Sequence, residues 1–361
     1  MKLNIKHLNG GASATLEIEN GIIKNILPLE STTYDYIHLA PALVDAHING
    51  GEQLHFTANP TEETLWDMHY AAAKNGVGYQ IPALITSDLE TLFKGIETVQ
   101  EFRQKNPEQS IIGLHLEGPF ISIEKRGAHL TEYIRKPELS LINEILSAAK
   151  GMPLMMTIAP EHFDNDTISY LLEKGVIVSV GHSNCTYERA MEAFGLGVKW
   201  ITHLFNAMSP FTHRAPGLAG AALSHPEVYC PIIPDGVHVH HATVKLALKL
   251  KKDKIFFISD ALFQNGLKTH FQWRAFDAKL LDGKYINSDG NLAGANISMA
   301  DALFTGVHEY GLSLSDSLRK CTSLPAEALG LPIGRIEVGH PAKFITFDEN
   351  FEDIQLLCVK N

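Results

Sequence analysis

In the stretch IIGLHLEGP, residues 111–119, an apolar run of strand length stops at an ionisable side chain, Glu117, and Gly118-Pro119 punctuates its end. Three later runs stop in the same way: VIVSVGH (176–182) at His182, VKWITH (198–203) at His203, and KIFFISD (254–260) at Asp260. Each is short, rich in β-branched or aromatic residues, and bounded by strand-ending residues. A barrel of parallel strands brings all such ends to one rim, where barrel enzymes carry their chemistry.

Working outward, apolar runs alternate with amphipathic helical patterns, which implies βα units and a parallel sheet. The candidate strands are IHLAPALVDAHI (37–48), VGYQIPALIT (77–86), SIIGLHLEG (110–118), PLMMTIAPE (153–161), VIVSVGH, VKWITHLF (198–205), YCPIIPDGVHV (229–239) and KIFFISDAL (254–262). Helix-like segments such as TEETLWDMHYAAAKNG (61–76) and DLETLFKGIETVQEFRQKN (88–106) lie between them. A doubly wound open sheet would show the same alternation. The count of eight and the convergence of polar strand ends favour an α/β fold of the (β/α)8 TIM-like kind.

The chain ends differ. Residues 1–42 read as short strands with Asn-Gly turns, and residues 334–361 share that character. The expected division is a small β-sandwich domain built from both chain termini (1–42 and 334–361) and a catalytic barrel (43–333).

Composition bounds the function. The chain has 361 residues, 45% hydrophobic and 20% charged, which suits a globular protein with one large core. A net charge of −11 leaves no electrostatic footprint for nucleic acid or an anionic membrane, so an anionic ligand would need local Arg or His residues. Cys185, Cys230, Cys321 and Cys358 lack CxxC spacing, against a disulfide framework or a thiolate zinc site. With no apolar run long enough for a bilayer and no signal-peptide pattern at the N-terminus, the expected location is the cytoplasm. Walker, complete GxGxxG, HExxH and GxSxG motifs are absent, which removes support for nucleotide binding, helix-borne zinc proteolysis and Ser-triad hydrolysis.

The strand-end residues form a hydrolytic set. Divalent cations take imidazole nitrogen and carboxylate oxygen, and catalytic sites commonly use three protein ligands. Glu117, His182 and His203 supply them, and Asp260, at the last strand end, is the candidate to accept the proton of water and return it to a leaving amine. His47 and Asn49, two apart on the first strand, point the same way. They either hydrogen-bond around the site or mark a second ion, for which Asn is a poor ligand. Arg214 suits a phosphate as well as it suits solvent, and His238 is similarly open.

HLEGPF (115–120), KRGAH (125–129), APE (159–161), GHSN (181–184), THLFNAM (202–208), PDGVHV (234–239), SDA (259–261) and LAGA (292–295) occur in an order that resembles the N-acetylglucosamine-6-phosphate deacetylases of the amidohydrolase superfamily. The similarity runs from about Pro41 to the closing GRIEVGHPAKFITFD (334–348). The resemblance implies a barrel with a small β domain, metal ligands Glu117, His182 and His203, and Asp260 as acid/base. It further implies that Arg214 and His238 bind the sugar phosphate and that His129 polarises the acetamide carbonyl. Ala128, Asn206 and Ala207 would line the sugar site, and Leu292, Ala293 and Gly294 would close over substrate.

Relatives of this kind are homodimers in which the phosphate-binding Arg crosses the interface, so Arg214 would serve a neighbour's site. The first strand departs from the family, whose members carry an His-x-His pair with two metals or a pair without imidazole and one metal. His47 with Asn49 is mixed, and one ion is expected, with a second near His47 left open.

The expected activity is metal-dependent hydrolysis of N-acetyl-D-glucosamine 6-phosphate to glucosamine 6-phosphate and acetate, with zinc as the expected cation and Fe, Mn or Co as alternatives. N-acetylgalactosamine 6-phosphate is the alternative substrate, and a non-catalytic amino-sugar-phosphate binder the alternative class. A dihydroorotase-like or dipeptidase-like site is disfavoured because PLMMTIAPE lacks the bridging Lys that such relatives often carry.

Overall fold

The computed structural model describes residues 1–264, 266–348 and 353–359. Six parallel strands, Leu43–Ile48, Val77–Ile85, Leu114–Glu117, Leu154–Ile158, Ile177–Val180 and Trp200–Ile201, lie side by side in chain order. Cys230–Ile232 and Ile255–Phe257 pair in parallel with each other. Backbone bonds from Ile201 N to Tyr229 O (3.2 Å) and from Leu204 N to Pro231 O (2.8 Å) attach this pair to the sixth strand. The ring closes where Asp260 N donates to His47 O at 2.9 Å and Asn49 N donates to Ala261 O at 3.0 Å. That closure selects the eight-stranded barrel over the open sheet.

The strands are continuous apolar runs because both of their faces are covered, as in Val77–Ile85, where every residue is buried. Helices between them start on side chains that accept their first free amides: Thr61 from Thr64 N, Asp88 from Thr91 N, Asp164 from Thr167 N and Thr186 from Arg189 N. Their apolar stripes join the strands in one large core.

Both chain ends enter a single six-stranded sheet, in the order Gln355–Cys358, Lys343–Phe347, Tyr36–Pro41, Lys2–Leu8, Ala14–Glu19, Ile22–Pro28. It has its own core of Leu3, Ile5, Leu16, Ile23, Leu39 and Phe344. The Asn-Gly pairs read from the sequence turn two of its hairpins: Asn9 and Gly10 have φ 53° and 72°, and Asn20 and Gly21 have φ 52° and 70°. These are the left-handed values that a tight hairpin requires of both turn residues.

A three-stranded antiparallel insertion, His270–Trp273, Phe276–Leu281 and Lys284–Asn287, rises after the last barrel strand. The sequence reading left it out, although Asp282-Gly283, with φ 49° and 77°, is a hairpin signal. The barrel helices Gly217–Ser224, Met299–His308 and Leu314–Cys321 were also not singled out. Among the described residues no helix is long and apolar enough to cross a membrane.

Asp45 latches the first strand to the last. Its carboxylate accepts from Ser259 Oγ at 2.5 Å, Ser259 N at 3.2 Å and His47 N at 3.3 Å. Burial outweighs these bonds and pushes its pKa up to about 6 from an ordinary 3.8. A folded pKa above the unfolded one means a stability contribution present below pH 3.8 and lost as pH rises through about 6. Urea melts should therefore show Asp45→Asn, which removes the ionisation, with a flatter stability profile between pH 4 and 6. Asp45→Ala, which strands three donors, should cost about 3 kcal/mol or more.

Candidate active site

Strand ends become a site through a local backbone device. His182, His203 and Asp260 have φ of 45°, 30° and 47°, and Glu117 is followed by Gly118 at φ 105°. Left-handed residues at the C-terminal rim break the strand alternation and turn side chains inward; such strained positions cluster at functional sites.

The side chains meet at Glu117, which is 3% exposed. Its Oε1 lies 3.1 Å from His182 Nε2 and 2.9 Å from His203 Nε2, and the two imidazole nitrogens are 3.1 Å apart. Its Oε2 faces His47 Nε2 at 3.4 Å and His129 Nε2 at 3.7 Å. Burial would raise the Glu117 pKa, but the charge of His47 and the imidazoles of His129, His182 and His203 around its oxygens hold it well below the usual carboxylate range.

The donor set on Oε1 fits a cation. Two imidazole lone pairs and a carboxylate oxygen at about 3 Å repel one another unless a positive charge lies between them. A tetrahedron whose bonds are about 2.0–2.2 Å has edges of roughly 3.3–3.6 Å, so the three atoms need to spread by only a few tenths of an ångström to hold a cation. His182 Nδ1 lies 2.9 Å from Lys125 O, a carbonyl that can only accept, so the proton sits on Nδ1 and the Nε2 lone pair is available. Glu117, His129 and His182 also present ligand atoms within 4.8 Å of one another. His203 is nearer to Glu117 than His129 is, which favours the expected trio of Glu117, His182 and His203.

Donors already occupy the other side. His47 Nε2 lies 3.4 Å from Asp260 Oδ1 as well as from Glu117 Oε2, and Asn49 Nδ2 donates to Asp260 Oδ1 at 2.9 Å. Burial would lower the pKa of His47, but Asp260 and Glu117 outweigh it and raise it to about 9. The His47 ring thus stands between Glu117 and Asp260, where a second cation would bridge the two carboxylates.

A cavity of about 430 Å³ opens over these groups. It is lined by Glu117, His129, His182, His203 and Asp260, and also by Ala128, Asn206, Ala207, His238, Leu292, Ala293 and Gly294. His238 Nδ1 is held by Asp235 Oδ2 at 2.7 Å, which leaves Nε2 for a ligand. Arg214 stands apart, exposed on the loop before the helix Gly217–Ser224 and outside the cavity lining.

The sequence reading missed Thr86, whose hydroxyl donates to Glu117 O and lies 2.9 Å from His129 Nδ1. It also missed His55, Ile85 and Phe276 in the cavity wall. Ile85 ends the second strand as one more apolar residue, and the others come from a loop and the insertion, so no ionisable strand end marks them. Cys185 is buried in the core with its thiol pKa pushed up to about 12 by burial, in keeping with an inert role.

A family model described as "Amidohydrolase family" matches residues 38–359. The N-acetylglucosamine-6-phosphate deacetylase of Haemophilus influenzae is 34% identical over 88% of this chain and 84% of its own. The N-acetylgalactosamine-6-phosphate deacetylase of Shewanella sp. (strain ANA-3) is 33% identical over 93% of this chain and 88% of its own. The crystal structure of N-acetylglucosamine-6-phosphate deacetylase from Pasteurella multocida superposes with a TM-score of 0.89 at 31% identity, covering 99% of this chain and 97% of that one.

Adding a divalent cation at a hundredfold its Kd should raise unfolding free energy by about 2.7 kcal/mol, read as a rise in Tm. Glu117→Gln and His182→Gln should lose that rise, whereas Arg214→Ala should keep it.

Proposed function

The chain belongs to the amidohydrolase family, and we propose that it hydrolyses the acetamide of N-acetyl-D-glucosamine 6-phosphate to D-glucosamine 6-phosphate and acetate. The observation that carries this reading is the convergence in one cavity of Glu117 with His182 and His203, of Asp260 beside them, and of the segments Ala128–His129, Asn206–Ala207, His238 and Leu292–Gly294. The named relatives act on this substrate or on its galactosamine epimer.

Glu117, His182 and His203 would hold one divalent cation, zinc by ligand type, with Fe, Mn or Co also suited to the set; it would supply Lewis acidity toward the acetamide carbonyl and lower the pKa of water. Asp260 takes a proton from the attacking water and passes it to the departing amine. The Asn49 amide fixes the Asp260 carboxylate by donating to Oδ1. His129, steadied at Nδ1 by Thr86, presents Nε2 to the carbonyl oxygen as negative charge develops there. His238, oriented by Asp235, receives the phosphate end of the sugar, and Asn206 lines the sugar site.

Arg214 is assigned to the phosphate of a neighbouring copy, which makes the working form a homodimer. Its exposure beside Phe211, itself 60% exposed, supports a contact on this loop. A phosphorylated sugar is retained inside cells, which supports a cytoplasmic setting. N-acetylgalactosamine 6-phosphate is the second reading, favoured by an identity to its deacetylase within one percentage point of that to the glucosamine enzyme.

The direct test is acetate release from both sugar phosphates. Asp260→Asn should lower kcat by about 10²–10⁴-fold while keeping the cation-induced rise in Tm; undiminished turnover would remove Asp260 from its role. Arg214→Ala should raise KM. Mixing it with Asp260→Asn should restore activity if the Arg crosses between copies, because a mixed dimer then holds one complete site.

A further inference from the structure

The loop that follows the first barrel strand places a histidine in the cavity wall. Asn49 and His55 flank a tight turn: Phe56 N donates to Asn49 O at 2.9 Å and Gly51 N to Leu54 O at 2.9 Å. Asp67 clamps that turn by accepting from Gln53 N at 2.9 Å and Leu54 N at 2.8 Å. The His55 ring stacks on Phe271 of the insertion, with centroids 4.7 Å apart and 17° between planes, and meets the edge of Phe263 at 6.1 Å. Its position is fixed by covalent reach, a clamped turn and two aromatic rings.

The ring is 2% exposed, it lines the cavity, and neither Nδ1 nor Nε2 has a hydrogen-bond partner among the described residues. Burial holds the imidazole neutral, with its pKa pushed down to about 3. A neutral imidazole offers one donor and one acceptor. An unpartnered buried polar group destabilises a fold, so the chain keeps here a group that Phe could replace in volume and stacking. The wall around it, Ile85, Leu262, Phe276 and Ala293, is apolar. This wall comes from the end of strand two and the loops after strands one and eight, whereas Asn206 and His238 follow strands six and seven.

We propose that His55 is a specificity-determining residue that exchanges a hydrogen bond with a ring hydroxyl of the bound amino sugar. One ring nitrogen meets one partner, and a hydroxyl can serve whichever nitrogen faces the cavity, accepting from an N–H or donating to a lone pair, whereas a phosphate would call for a cation. Fixed by its aromatic neighbours, the ring discriminates by hydroxyl position, which is the difference between the gluco and galacto epimers. Sites built to bond a hydroxyl reject the analogue that lacks it far more strongly than apolar pockets reject an extra group. The inference rests on the deacetylase reading above.

The test uses full-length, metal-loaded protein, with kcat/KM measured on N-acetylglucosamine 6-phosphate, N-acetylgalactosamine 6-phosphate and their 3-deoxy and 4-deoxy analogues. His55→Phe should keep or raise Tm, retain the metal, and lose about 10- to 100-fold in kcat/KM on the preferred sugar. It should lose nothing on the analogue lacking the hydroxyl that is read. His55→Gln, which keeps a donor and an acceptor, should recover part of the loss. An equal loss on all sugars together with a lower Tm would make His55 a packing residue and overturn the inference, as would unchanged kcat/KM throughout. If wild-type protein turned over none of these sugars, the deacetylase reading itself would fall and this inference with it; wild-type turnover with an indifferent His55→Phe would overturn the inference alone.

Discussion

The buried carboxylate of Glu117 constrains the rest of the barrel rim. Removing a carboxylate from water costs several kcal/mol even after the surroundings relax, so the fold must deliver compensating groups to it. His47 comes from the first strand, His129 from the loop after the third, His182 from the fifth and His203 from the sixth, all within 3.7 Å of one or other oxygen. Only a closed ring brings strand ends so far apart in the chain to one carboxylate. Closure in turn rests on the bonds between the first and last strands, among them Asp260 N to His47 O.

The two oxygens of Glu117 do different work. Oε1 faces a pair of imidazole nitrogens whose mutual approach suits a cation, while Oε2 faces His47 and His129. Because the amide of Asn49 and the ring of His47 already reach Asp260, that side is served by proton donors. The mixed pair at 47 and 49 then has a physical meaning: His47 lies between the two carboxylates and Asn49 holds one of them, so the first strand reaches Asp260 twice.

Much of this was legible in the sequence because strand ends are punctuated. Glu117 before Gly118-Pro119, and His182, His203 and Asp260 after apolar runs, could be placed on a rim without coordinates, and the Asn-Gly pairs gave the terminal hairpins. What could not be read depends on distances. Whether Glu117 turns Oε1 or Oε2 to a given ring follows from left-handed backbone angles at the strand ends, which non-glycine residues do not announce. His55 looks like any loop histidine until its neighbours prove to be Phe263 and Phe271 and its nitrogens prove unpartnered. Arg214 lies outside the cavity of its own chain, so its assignment draws on a second copy. The insertion at 270–287 is hard to read because its strands are only four to six residues long and its one clear signal is the Asp282-Gly283 turn.

Anomalous X-ray diffraction from crystals grown with a divalent cation tests the central claim most directly. The account predicts one anomalous peak per chain, about 2.0–2.2 Å from Glu117 Oε1, His182 Nε2 and His203 Nε2, with Asn49 left bonded to Asp260 and His47 facing it. A peak bridging Glu117 Oε2 and Asp260 with His47 as a ligand, or a cation bound away from Glu117, would contradict it.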